Sequence, residues 1–182
     1  MQTPRRRRVA LAFAVGAAVW AMLPICHASD TVTQLAALCP PSGSLYALRL
    51  INDNTPQQVT CDTSDLKALP QRELVTSLPA SLGQAGAHRW QGVSLRWLAE
   101  RMGGTPGSTL RLVALNDYAI NVPWSDLVRY DPIVAYQRNG VTLSVREKGP
   151  MMLIYPFDAH PELHTQQYLN RSIWQLHAIT VK

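Results

Sequence analysis

Four consecutive arginines, Arg5 to Arg8, stand directly ahead of an apolar run from Val9 to Leu23, which leads to the small-residue site Cys26-His27-Ala28. A basic segment, an apolar segment and a small-residue site in that order predict a secretory signal peptide, residues 1–28, removed from the mature chain. This leaves residues 29–182 to fold, enough for one domain with its own core and too few for two. It also places them in an oxidising compartment, periplasmic or secreted. The apolar run has 15 residues; at about 1.5 Å of rise each it spans roughly 22 Å, short of the ~30 Å hydrocarbon core. Cleavage is therefore expected, with no stable membrane span afterwards. Pro24 and Ile25 fit poorly ahead of a lipid-modified Cys26, and the arginine run is compatible with ordinary secretion and with twin-arginine export.

The export signal also explains the charge. The chain has 17 basic and 12 acidic residues, a net charge of +5. Four of the basic residues and none of the acidic ones lie in residues 1–28, so the mature chain carries only +1. Nucleic-acid binding needs a basic footprint on the folded domain itself, and no nucleic-acid partner is expected. Loss of Cys26 leaves Cys39 and Cys61, for which a disulfide is the expected state in an oxidising compartment. Closing that loop contributes about 3 kcal/mol in the chain-entropy model. The alternative, a reactive or metal-bound thiol, has neither a CxxC spacing nor a neighbouring histidine behind it.

Along the mature chain, strand patterns cover Leu45 to Ile51, Gln58 to Cys61, Glu73 to Ser77, Leu110 to Leu115, Ala119 to Val122 and Ile133 to Tyr136. Further strands are expected at Val141 to Val145, Met151 to Tyr155 and Ile173 to Val181. Asn139-Gly140 is the strongest hairpin signal, since both residues tolerate positive φ. Short helices are expected at Ser64 to Leu69, from Leu95 behind Ser94 as N-cap to Gly103-Gly104, at Trp124 to Val128 and at Pro161 to Tyr168. Pro79 to His88 reads as a loop. The class is α+β: one β-rich, mixed-sheet, barrel-like domain with short helices.

Several of these segments, in order, resemble the oxidoreductase molybdopterin-binding domain, the fold of the sulfite oxidase family. They are Leu69-Pro70 before a strand, Trp90-Gln91-Gly92-Val93-Ser94-Leu95 opening a helix, the corner Asn116-Asp117-Tyr118, Lys148-Gly149-Pro150 before an apolar strand, and Trp174 in the last strand. The resemblance covers residues 45–182, behind an N-terminal extension at residues 29–44. It implies the family's fold and, for an enzyme, a molybdopterin cofactor. Family enzymes hold molybdenum through a cysteine thiolate between the strand after the Leu-Pro element and the Trp-x-Gly-Val helix start. Here that interval, Arg72 to Val93, contains no cysteine. Ser77 or Ser81 would not replace soft sulfur as a ligand without changing the chemistry.

The candidate ligand-binding residues are Asn116, Asp117, Tyr118, Arg146 and Lys148. The corner residues sit between two strands, a rigid support for a binding group, or else form a turn in which Asn and Asp bond their own backbone. Arg146 and Lys148 would face an anionic group, with Gly149 permitting close backbone approach; the plain alternative is a solvated turn. His160 and His164 are four apart, but no third ligand is evident and Pro161 marks a helix start. Tyr155 to Asp158 would wall a pocket or fill the core, and no serine has the glycine flanks of a nucleophile elbow. The expectation is a periplasmic binding or sensor-accessory module. It would have no cofactor, and either a small ligand or a periplasmic or membrane sensor protein as partner. The alternative is a molybdopterin-dependent oxidoreductase with atypical metal ligation.

Overall fold

Alternation of buried and open positions shapes the strand nearest the start of the domain: in β1 (Leu48–Asn52) Leu48, Leu50 and Asn52 point inward. The computed structural model describes residues 37–40, 43–55, 57–83 and 86–182. The signal segment and the extension up to residue 36 lie outside the described residues. The chain continues through β2 (Gln57–Cys61), α1 (Thr63–Ala68), β3 (Gln71–Ser77), β4 (Ala87–Ser94), α2 (Leu95–Arg101), β5 (Thr109–Ala114) and β6 (Ala119–Pro123). After α3 (Trp124–Tyr130) come β7 (Ile133–Arg138), β8 (Val141–Thr142), β9 (Met152–Ile154), α4 (Gln166–Arg171) and β10 (Leu176–Val181).

Two five-stranded sheets result. The first has the order β2-β1-β10-β5-β6, with β1 and β10 parallel and the other pairs antiparallel. The second runs β3-β4-β7-β8, and β9 also pairs with β7. Their apolar faces share one core, in which Leu50, Leu112 and Ile179 of the first sheet join Trp90, Val93 and Ile133 of the second. The fold is α+β with a mixed sheet and few short helices, as the sequence predicts.

Local signals act where the sequence places them. Ser94 caps α2 by accepting the Trp97 N–H at 3.1 Å. Asp62 and Asp65 form a reciprocal capping box on α1. Asn139 (φ 50°) and Gly140 (φ 81°) turn the chain between β7 and β8. Cys39 and Cys61 are bonded, with Cα atoms 5.2 Å apart and both residues buried.

Four expectations are corrected. The segment Pro79 to His88 is not loop throughout: a 3₁₀ turn occupies Ala80–Leu82, and β4, the strand between β3 and β7, starts at Ala87. Gly92 interrupts its apolar pattern for a steric reason, since a Cβ there would lie 2.1 Å from the Val134 carbonyl oxygen on the neighbouring strand. The strand expected at Val141 to Val145 ends at Thr142; Leu143 still donates its N–H to Tyr136 at 2.9 Å, and Val145–Glu147 then forms a 3₁₀ turn. Pro161 to Tyr168 is not one helix. Pro161–Leu163 is a 3₁₀ turn that buries Leu163, and α4 starts afresh at Gln166. The last strand begins at Leu176, because Gln175 (φ 52°) bends the chain ahead of it.

Two outcomes follow from this packing. Alkylation of non-reduced mature protein followed by mass spectrometry finds no free thiol at Cys39 or Cys61. Gly92→Ala costs at least about 3 kcal/mol in urea unfolding, because a backbone carbonyl has no rotamer with which to yield.

Candidate functional site

The two sheets meet where the strand β9 runs beside the lead into β10. Leu153 donates its N–H to Ile173 at 2.9 Å, Leu176 to Met151 at 3.0 Å, and Gln175 to Lys148 at 2.8 Å, while Met152 and Trp174 form a bridge. A cleft of about 300 Å³ opens at this junction, a volume at the lower end of ligand pockets. Its walls come from four distant segments: Ser81 and Leu82 of the 3₁₀ turn, Asn116 and Tyr118 of the β5–β6 corner, Gln166, Leu169 and Asn170 of α4, and Ser172 to Trp174. Trp174 (38% exposed) and Tyr118 (43% exposed) present aromatic surface to it.

The predicted site residues divide. Asn116 and Tyr118 line the cleft. The Asn116 side-chain oxygen also accepts the Tyr118 N–H at 3.2 Å, the self-bonded turn anticipated for this corner, and the Tyr118 hydroxyl donates to the Asn170 carbonyl at 3.3 Å. Asp117 sits at φ 63° on the exposed tip of the turn, outside the lining. Lys148 lies behind the wall: its Nζ donates to the Leu82 carbonyl and stands 4.6 Å from the centre of the Trp174 ring. Burial pulls its pKa down. Arg146 is exposed on the 3₁₀ turn Val145–Glu147 and does not line the cleft. Gly149 serves packing: a Cβ there would come within 2.6 Å of Leu143.

The histidines are not brought together as a metal pair. His160 packs edge-on against Tyr130, and the His164 ring contacts Phe157 and its carbonyl. Among the described residues no group of three or more His, Cys, Asp or Glu side chains could hold a metal. Tyr155 and Phe157 are core residues.

Helix α4 contributes much of the cleft, and the helix expected at Pro161 to Tyr168 reaches only its first half and none of its role, because Gln166, Gln167 and Asn170 carry no apolar rhythm. None of its residues is fully buried. Tyr168 and Leu169 pack half-buried against the core, and polar contacts add to them. Arg171 pairs with Asp126 of α3 at 2.7 Å, where the two side chains are only 14% and 6% exposed. Tyr155 donates its hydroxyl to the same carboxylate at 3.0 Å, and Tyr168 of α4 donates to the Tyr130 hydroxyl at 3.4 Å. Burial raises the Asp126 pKa, against the opposing pull of Arg171. Burial and the Asp126 charge raise Tyr155 well above its ordinary value. Burial, with the Tyr130 hydrogen bond, pushes Tyr168 up to about 12.

The donor set of the cleft consists of amides, hydroxyls, backbone groups and an aromatic pair. Cys39 and Cys61 are spent on each other, and among the described residues of the interval Arg72 to Val93, Ser81 is the one that contributes a side-chain oxygen to the lining. These residues do not fit a thiolate-held molybdenum centre, because hydroxyl oxygen lacks the softness of sulfur.

A family model described as the oxidoreductase molybdopterin binding domain matches residues 43–159. No curated protein matches the chain. Among solved structures, the sulfane dehydrogenase SoxCD from Paracoccus pantotrophus is similar, with a TM-score of 0.55 and 18% sequence identity. The match covers 79% of this chain and 40% of that one, so the chain spans about two fifths of the length of this structural relative. At that identity the similarity is one of fold.

The tyrosine cluster behind α4 predicts alkaline sensitivity. Below pH 10 the phenols of Tyr155 and Tyr168 are protonated in the folded and the unfolded chain alike, and their contribution is fully present. As pH rises from 10 toward about 12 the unfolded phenols ionise first, so stability falls across that window. Urea unfolding at stepped pH shows a shallower fall in Tyr168→Phe than in the wild type; identical slopes would remove Tyr168 from the effect.

Proposed function

The chain belongs to the oxidoreductase molybdopterin-binding domain family, and on that premise we propose that the mature protein is an exported, non-catalytic binding module that uses the cleft at the sheet junction. The observation that carries this reading is the loss of the thiolate: no cysteine lies in the interval from Arg72 to Val93, and the described cysteines are bonded to each other. A protein of this family without soft sulfur lacks the group that both holds molybdenum and tunes its potential.

What the cleft retains suits recognition rather than redox chemistry. Trp174 and Tyr118 supply flat apolar surface, while Asn116, Gln166 and Asn170 supply neutral donors and acceptors, a combination that takes an uncharged, planar, hydrogen-bonding body. The export signal supports a periplasmic or secreted location, and among the described residues no helix is long and apolar enough to cross a membrane. In that setting the module would present a small ligand to a periplasmic or membrane sensor protein. Family membership favours one second reading, a molybdopterin-dependent oxidoreductase with atypical ligation, in which Ser81 would be the residue facing the metal.

Protein isolated from the periplasm of its own host separates the two. Metal and pterin analysis finds molybdenum well below one atom per chain and no sulfite or sulfoxide turnover. Native mass spectrometry finds a retained small molecule that Trp174→Ala releases, with a melting temperature within a few degrees of the wild type. Stoichiometric molybdenum, with turnover abolished by Ser81→Ala, would overturn the binding-module reading and establish the enzyme.

A further inference from the structure

Beside the cleft, a second groove of about 300 Å³ opens between the β5–β6 edge and α4, and the two share Asn170. Arg111 and Asn121 form its floor as directly paired residues on the exposed side of adjacent strands. Gln167, Asn170 and Arg171 form its wall, spaced so that one face of a helix carries all three.

The hydrogen-bonding state of these groups decides what the groove can take. The Gln167 amide, with its oxygen toward Arg171, accepts from both terminal guanidinium nitrogens at 2.9 and 2.8 Å. The Asn170 side-chain oxygen accepts from Gln166 Nε2 at 2.7 Å. The Gln167 oxygen therefore has both acceptor positions filled and the Asn170 oxygen one of its two, and both NH₂ groups are left to donate. The Arg171 charge is balanced by Asp126. Arg111 forms no ion pair among the described residues, and no carboxylate is among the residues lining the groove. A solvent-reachable guanidinium ringed by amide donors, with no acidic group beside it, is complementary to an anion and to little else.

We propose that this groove is an anion-binding subsite that seats a carboxylate or phosphate group, with two or more of its oxygens on Arg111 and the surrounding amides. It is placed to receive the acidic end of a molecule whose body lies in the adjoining cleft, and it stands on its own observations whatever that cleft binds.

The test titrates inorganic phosphate and malonate separately into the mature protein at constant ionic strength set with chloride, following backbone amide resonances of residues 119–121 and 167–171. At least one anion produces saturable shifts, and whichever binds more tightly identifies a phosphate or a carboxylate as the preferred group. Arg111→Gln, an exposed substitution, weakens that binding about tenfold or more. Asn121→Asp, which sets a like charge opposite the ligand, abolishes it. Trp174→Ala leaves it unchanged, which separates this subsite from the reading of the main cleft. Absence of a saturable response to both anions, or equal affinity in wild type and Arg111→Gln, would overturn the proposal.

Discussion

The backbone hydrogen bonds between residues 148–153 and 173–176 determine where everything of functional interest lies. They join a sheet closed by β10 to a sheet extended by β9, and the bends on either side, at Lys148 (φ 71°) and Gln175 (φ 52°), are both left-handed. Residues other than glycine hold that conformation only where their surroundings impose it. Here it sends the Lys148 ammonium under the Trp174 ring and onto the Leu82 carbonyl. One seam thus positions an aromatic wall, the cation behind it and the 3₁₀ turn that carries Ser81. The cleft is the space left where the two sheets diverge from that seam.

What stands behind the cleft is less uniform than the core. Helix α4 has no fully buried residue; it rests on the core through the half-buried Tyr168 and Leu169, and the Arg171–Asp126 pair and the tyrosine hydroxyls add polar contacts. A buried ion pair offsets its desolvation cost only with good geometry and added hydrogen bonds; Tyr155 supplies one of these to Asp126. Segments held this way open more readily than the sheets they rest on. The same helix lines both the cleft and the arginine groove, so what holds α4 in place shapes both.

Local chemistry was legible in the sequence, and long-range assembly was not. Ser94 and Asn139-Gly140 act through neighbours in sequence, and both they and the Cys39–Cys61 pair appear where residue types place them. The Asn116 turn was legible for the same reason, since an Asx side chain bonds its own backbone. β4 was obscured by Gly92, whose need is set by Val134, a residue over forty positions away. Grouping Arg146 with Lys148 followed from adjacency, but the left-handed turn between their environments leaves the first in solvent and tucks the second beneath Trp174. Gln166 falls inside the expected helix but neither it nor Asn170 signals a place in the cleft, because a polar helix on the surface has no periodicity to show which way it faces.

The position of β10 bears on the order in which the domain can assemble. It follows the other described strands in the chain, yet it occupies the middle of its sheet, parallel to β1 and antiparallel to β5. Until residues near 181 are available, the β1–β2 hairpin and the β5–β6 hairpin face a gap with unpaired backbone on both sides and cannot share a sheet. Such non-local closure is slow relative to hairpin formation. The same gap is a place where another strand could pair wrongly before the rightful one arrives.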